Sequence, residues 1–204
     1  DDSQGIARAD PYTLAERLAF LIWEGPPDDE LLGAAAAGRV GSVEELQAQA
    51  ERMLGDSKAR RPIETFFFQW LQLDHIDDAI KNPEDGLTNG LRDAMQEQTL
   101  RTIEHLVFDR AASVRELLSS NETFVNGELA SLYGLEPVDG WTAVELDPVE
   151  RRGLLTHASF LAARGHPSYP SPVLRGAYVM DVILCQPTGE PPPDAQDASP
   201  DIGS

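Results

Sequence analysis

Asp10-Pro-Tyr-Thr-Leu-Ala-Glu-Arg-Leu-Ala-Phe-Leu-Ile-Trp-Glu-Gly-Pro-Pro27 is the stretch whose reading decides the fold. Asp10 before Pro11 is the signature of an N-cap followed by proline at the first helical position, where the missing N–H has no partner to lose. Leu14, Leu18, Leu21 and Ile22 then recur at helical spacing, and Gly25-Pro26-Pro27 stops the run. The same grammar repeats along the chain. Asp28 opens a helix through Leu31 to Ala37 that ends at Gly38, and Ser42 with Glu45 forms a capping box for a helix that stops at Gly55. Asp56 or Ser57 opens a segment to Leu73, with Pro62 predicting a kink or a restart, and with Phe66, Phe67, Phe68, Trp70 and Leu71 on it.

Further on, Asp77–Gly90 reads as a loop and Thr88 or Asn89 as the cap of a long helix carrying Met95, Leu100, Ile103, Leu106 and Val107. Short helices are predicted near Val114–Ser119 and Asn126–Tyr133, then a helix over Glu150–Ala163 and a last one opened by Ser171-Pro172. The expected fold is all-α, an irregular array of about eight helices. A minor strand pair is allowed only between Glu136 and Glu145. The expected core contains Leu18, Leu21, Trp23, Phe67, Trp70, Leu71, Leu106, Phe124 and Leu132. Burying a large aromatic contributes about 2–3 kcal/mol, so Trp70→Ala is expected to destabilise severely. Residues 187–204, rich in Pro, Asp, Ser and Gly, read as a disordered tail.

Composition narrows the function classes. Apolar residues make up 41% of the 204, as in globular chains, and no apolar run approaches the length of a membrane-spanning helix. The 35 acids against 16 Lys and Arg leave a net charge of −19, which repels phosphate backbones and anionic lipid surfaces. Nucleic acid and peripheral membrane binding are therefore discounted, and the lack of a long apolar run discounts membrane insertion. The lone cysteine, Cys185, allows neither an internal disulfide nor a two-thiol haem attachment motif.

Local motifs single out little chemistry. His75, His105, His157 and His166 have no zincin spacing and no carboxylate-bridged di-iron pattern. His105 and His157 read as packing or surface residues, and His75 as a helix C-terminal imidazole favoured by the dipole. Asp28-Asp29-Glu30 lacks the alternating spacing of a calcium loop and suits a helix N-terminus. The unusual loop is His166-Pro-Ser-Tyr-Pro-Ser-Pro172. It reads as a rigid connector with Ser171 as a helix cap; hydrolase-type chemistry around His166 with Ser168 or Ser171 is the alternative. Arg151, Arg152 and Arg175 flank the loop and are expected to fork onto carboxylates in so acidic a chain. No residue is assigned as catalytic, cofactor-binding or metal-binding. His166, Ser171 and Arg175 form the candidate functional surface.

Two groups of motifs carry a family resemblance. Leu18-Ala-Phe-Leu-Ile-Trp-Glu-Gly-Pro-Pro-Asp-Asp-Glu-Leu31, Phe68-Gln-Trp-Leu-Gln-Leu73 and Thr123-Phe-Val-Asn-Gly-Glu-Leu-Ala-Ser-Leu-Tyr-Gly134 form the first. They resemble the PSD-group helical domain of unknown function of large planctomycete and myxobacterial cytochrome-c-associated proteins. Arg152-Gly-Leu-Leu-Thr-His-Ala-Ser-Phe-Leu161, Ser171-Pro-Val-Leu-Arg-Gly176 and Pro191-Pro-Pro193 resemble the start of a PSCyt-group module. The resemblance implies a PSD-like domain over residues 1–145 and the N-terminal part of a PSCyt-like module over residues 146–204. It implies a non-catalytic scaffold or interaction module of a larger, exported protein of the periplasm or cell envelope. A c-type haem is expected in a downstream segment of the parent, with that segment or other proteins as partners. The two helices after Pro148 are too short to bury their own apolar faces, so they are expected to fold back on the first module.

Overall fold

Asp10 caps the first helix, α1 (Pro11–Trp23), as its sequence predicts: its Oδ1 accepts the N–H groups of Tyr12 and Thr13 at 3.0 and 3.1 Å. The structure is a computed structural model that describes residues 9–78, 87–165, 171–187 and 189. Among the described residues α1 is followed by α2 (Asp29–Ala36), α3 (Val43–Leu54), α4 (Arg60–Trp70), α5 (His75–Asp78), α6 (Asn89–Glu104) and α7 (Val114–Leu117). Then come β1 (Glu122–Val125), α8 (Gly127–Tyr133), β2 (Thr142–Glu145), α9 (Ala158–Ala163) and α10 (Pro172–Tyr178). Single π-helical turns, His105–Asp109 and Val179–Ile183, extend α6 and α10.

The N-terminal core is built from α1, α2 and α3. Ala15, Ala19, Ile22 and Trp23 form the buried stripe of α1 and meet Leu31, Ala34, Ala35 and Met53. Two alanines on that stripe let α2 approach closely, so the stripe is centred on them and Leu21 is carried to the far side, 75% exposed. Leu18 packs at the margin. The Trp23 indole N–H donates to the Met53 carbonyl at 2.9 Å, with Lys58 Nζ 4.4 Å from the ring centroid. Trp23→Phe strands that carbonyl and is expected to cost about 1–2 kcal/mol, read as a shift of the urea midpoint. Asp28 caps α2 through Leu31 N–H and holds Arg52 in a two-pronged ion pair at 2.8 and 3.0 Å, which keeps its carboxyl below the usual range. The acids of this turn thus serve a helix end and an arginine.

The second core joins α4, α6 and α7 to the C-terminal part of the chain. Phe67, Leu71, Leu73, Ile103, Leu106 and Leu117 enclose Leu154, Phe160 and Tyr178. The segment after Pro148 therefore folds back as expected. Limited proteolysis is predicted to release no stable fragment spanning residues 149–186; such a fragment, persisting folded, would contradict this packing. A third core lies between α6 and α8, with Ile76, Met95, Val125, Leu129 and Ala158 buried.

Several expectations need correction. The fold is mostly helical but not all-α, because β1 and β2 pair antiparallel with Glu122 opposite Glu145 and Val125 opposite Thr142. Only β2 falls in the predicted Glu136–Glu145 stretch; its partner lies ahead of α8, a pairing that no short-range signal announces. Leu132 is 45% exposed, and Trp70 and Phe124 are partly buried. Trp70 stacks on the exposed Phe66 (centroids 5.8 Å apart), so Trp70→Ala removes less buried area than expected. The predicted restart at Pro62 occurs just before it: Ser57–Ala59 is a 3-10 turn and α4 begins at Arg60. The predicted Glu150–Ala163 helix is broken, because Gly153 adopts φ 72°, ψ 171° and leads into a 3-10 turn at Leu154–Thr156 before α9. His75 opens α5 instead of closing a helix, since α4 ends at Trp70. Most of the predicted Asp77–Gly90 loop and almost all of the predicted tail lie outside the described residues.

Candidate functional site

Of the residues singled out in sequence as a candidate surface, Ser171 and Arg175 are among the described residues. His166 and Ser168 lie outside the described residues. The Ser171 hydroxyl accepts the Leu174 N–H at 3.4 Å as the N-cap of α10. Arg175 Nη2 donates to the Leu161 carbonyl at 3.3 Å, and Arg151 Nη1 donates to the Thr156 carbonyl at 3.1 Å while lying over the Tyr133 ring. These two arginines therefore serve main-chain oxygens and not the expected carboxylates. Short helical turns end in carbonyls without intrahelical partners, and a guanidinium satisfies them. Arg164 does the same more deeply. It lies between the rings of Phe160 and Tyr178 and donates from Nη2 to the Leu71 carbonyl and Gln72 Oε1, at 2.9 and 3.1 Å. Burial pushes its pKa down.

A buried polar network sits where α6 meets the chain after Pro148. Thr99 Oγ1 lies 3.0 Å from His157 Nδ1 and 2.7 Å from Ser159 Oγ. Beside it the Ala158 N–H donates to the Tyr133 hydroxyl, which donates to Gln98 Oε1 at 2.7 Å. Gln98 Nε2 donates to Thr123 Oγ1, which pairs with Thr102 Oγ1 at 2.9 Å. Hydroxyls and an imidazole thus converge, as a nucleophile and base would, but Gln98, Thr99, Thr123, His157 and Ser159 are all buried. Burial, with a smaller push from Arg151, lowers the His157 pKa to about 4, so the ring is neutral at pH 7. The network knits α6, β1, α8 and α9 together.

An open cleft of about 280 Å³ lies on the outer face of the strand pair. Thr123 and Val125 point into the core, so alternation turns Glu122 and Phe124 outward, with Glu145 and Ala143 opposite them. The π-turn after α6 supplies His105 and Arg110 to the same cleft. Such turns are frequent at functional sites because the extra residue re-aims side chains. His105 Nδ1 is 3.0 Å from Asp109 Oδ2, and the ring meets Phe124 edge-on at 5.5 Å. Arg110 Nη1 reaches both oxygens of Glu122, at 2.7 and 2.6 Å. Sequence reasoning gave His105 a packing or surface role and missed Arg110, Glu122 and Glu145, because only strand pairing assembles them.

Among the described residues no group of three His, Cys, Asp or Glu side chains is placed to hold a metal ion, and no helix is long and apolar enough to cross a membrane. Covalent haem attachment needs two thiols before a histidine, and Cys185 is the single cysteine, so the residues of this chain do not fit that group. A mostly helical array whose C-terminal segment is packed into its core through a sealed polar network defines the class. Residues 9–135 match the family PSD4, described as a protein of unknown function (DUF1592), and residues 151–204 match PSCyt3, likewise described as a protein of unknown function (DUF1588). The chain belongs to the PSD4 family, followed by a PSCyt3 segment. No curated protein and no solved structure matches it.

Proposed function

We propose that this chain is a non-catalytic scaffold or interaction module of a larger, exported protein associated with cytochrome c. The observation that carries the reading is the exposed apolar first turn of α10. Tyr178 is buried against Phe160 and donates its hydroxyl proton to the Trp70 carbonyl, which fixes the helix on the body of the protein. The first turn of the same helix holds out Val173 and Leu174, 79% and 53% exposed, with Leu184 exposed beyond the helix end. Apolar side chains held out on a docked helix suit a surface that another segment covers. The PSCyt name of the second family points to cytochrome c as the setting. The Ser171 hydroxyl already serves the α10 cap, which counts against Ser171 as the nucleophile of the hydrolase-type alternative.

The test is to read the frame beyond Ser204, express any Cys-x-x-Cys-His segment found there as a separate polypeptide, and titrate it against this chain. Association is expected, weakened at least about tenfold by Val173→Ser with Leu174→Ser, since two exposed aliphatic side chains would lose their burial. A downstream frame without a haem segment, or a segment that does not bind, refutes the reading. Haem added to the chain alone is expected to give no stoichiometric Soret band.

A further inference from the structure

The cleft on the outer face of β1 and β2 sets two carboxylates opposite each other beside an apolar wall. Its donor, Arg110, is engaged by both oxygens of Glu122. The facing Glu145 carboxylate is exposed and without an ion pair among the described residues. Phe124 and Ala143 add an apolar wall on the same outward face. Glu145 stands directly opposite Glu122, a like-charge pair that destabilises a strand ladder unless a cation relieves it. Arg110 relieves Glu122 alone.

We infer that this cleft receives a lysine side chain from a basic segment of a protein partner, its aliphatic stem along Phe124 and its ammonium donating to Glu145. An ammonium offers three donors and no acceptor, and its four-carbon stem buries readily along an apolar wall while the charge stays at the mouth. The net charge of −19 adds long-range attraction for a basic surface. The inference shares with the proposed function the need for a protein partner, but it concerns different elements. The Val173 and Leu174 variants leave this binding unchanged, so the two readings fail separately.

The probe is a fluorescein-labelled heptalysine, titrated by anisotropy at about 50 mM salt, where exposed charges are only partly screened. Saturable one-to-one binding is expected, weakened at least about tenfold by Glu145→Lys, and far less by Glu44→Lys on the exposed face of α3, which changes the net charge equally. Phe124→Leu, which keeps an apolar side chain in the cleft but removes the ring, is expected to weaken binding about threefold while circular dichroism stays unchanged. Equal weakening by Glu145→Lys and Glu44→Lys would mean attraction to bulk charge alone and overturns the inference, as does the absence of saturable binding. Retained affinity in Glu145→Lys overturns it too.

Discussion

Gly153→Ala is expected to destabilise the protein by about 4 kcal/mol, at the upper end of single substitutions. Two independent penalties coincide. Gly153 has φ 72° and ψ 171°, a region that residues with a Cβ essentially do not enter. A Cβ built there would lie 2.1 Å from the Leu118 carbonyl oxygen and 2.2 Å from its carbon, and backbone cannot yield as a side-chain tip does. The Gly153 N–H also donates to the Ser120 carbonyl at 2.7 Å, so any retreat breaks a bond that seats the C-terminal segment on the end of α7. Gly134→Ala is the control: φ is 68° there too, but nothing lies within 4 Å, and the expected cost is about 1 kcal/mol. Thermal melts should show a fall of roughly 10 °C or more for Gly153→Ala and a few degrees for Gly134→Ala. Similar melts for the two would mean that Leu118 and Gly153 are not in contact in the folded protein.

Acid is expected to remove about 3 kcal/mol of stability between pH 6.5 and about 4, through His157. The sign follows from burial. The unfolded imidazole titrates near 6.5 and the folded one near 4, so across that window the unfolded chain binds a proton that the folded protein refuses. The contribution is complete above pH 6.5 and falls away as pH drops toward the folded pKa. Carboxylates held low by hydrogen bonds, Asp28 foremost, lose their contribution only below about pH 4. Glu64, raised by burial and by Glu104 and Glu97, acts in the opposite direction. Urea midpoints of the parent and of His157→Gln at pH 7 and pH 4.5 separate these effects, because the other groups are common to both. The parent should lose most of the expected 3 kcal/mol, and His157→Gln, which has an amide in place of the titrating ring, should lose much less. Equal losses would assign the acid sensitivity elsewhere.

Much of the secondary structure was legible because caps are local. Asp10, Asp28, Ser42, Thr88, Ser113, Asn126 and Ser171 each accept from a backbone N–H within three residues, a relation written into neighbouring positions. The motifs around Trp23, Trp70, Asn126 and His157 placed the chain beside its families for the same reason: they are contiguous. Leu21 was misplaced because its burial depends on which flank of α1 lets α2 approach, and that is decided by Ala15 and Ala19 together with Leu31 and Ala34.

Length, charge, helix ends and family are thus properties of the sequence by itself. The tertiary structure alone decided where polar groups meet. Thr99 and Ser159 are separated by 60 positions and bond at 2.7 Å; Glu122 and Glu145 face each other only through strand pairing. Gly153 reads as an ordinary glycine until the Leu118 carbonyl is found against it. His105 and His157 look alike in sequence, each within a predicted helix, yet one lines an open cleft and the other is sealed and held neutral at pH 7. Desolvation and hydrogen-bond partners set the chemistry of an imidazole, and both are assigned by elements distant in the chain.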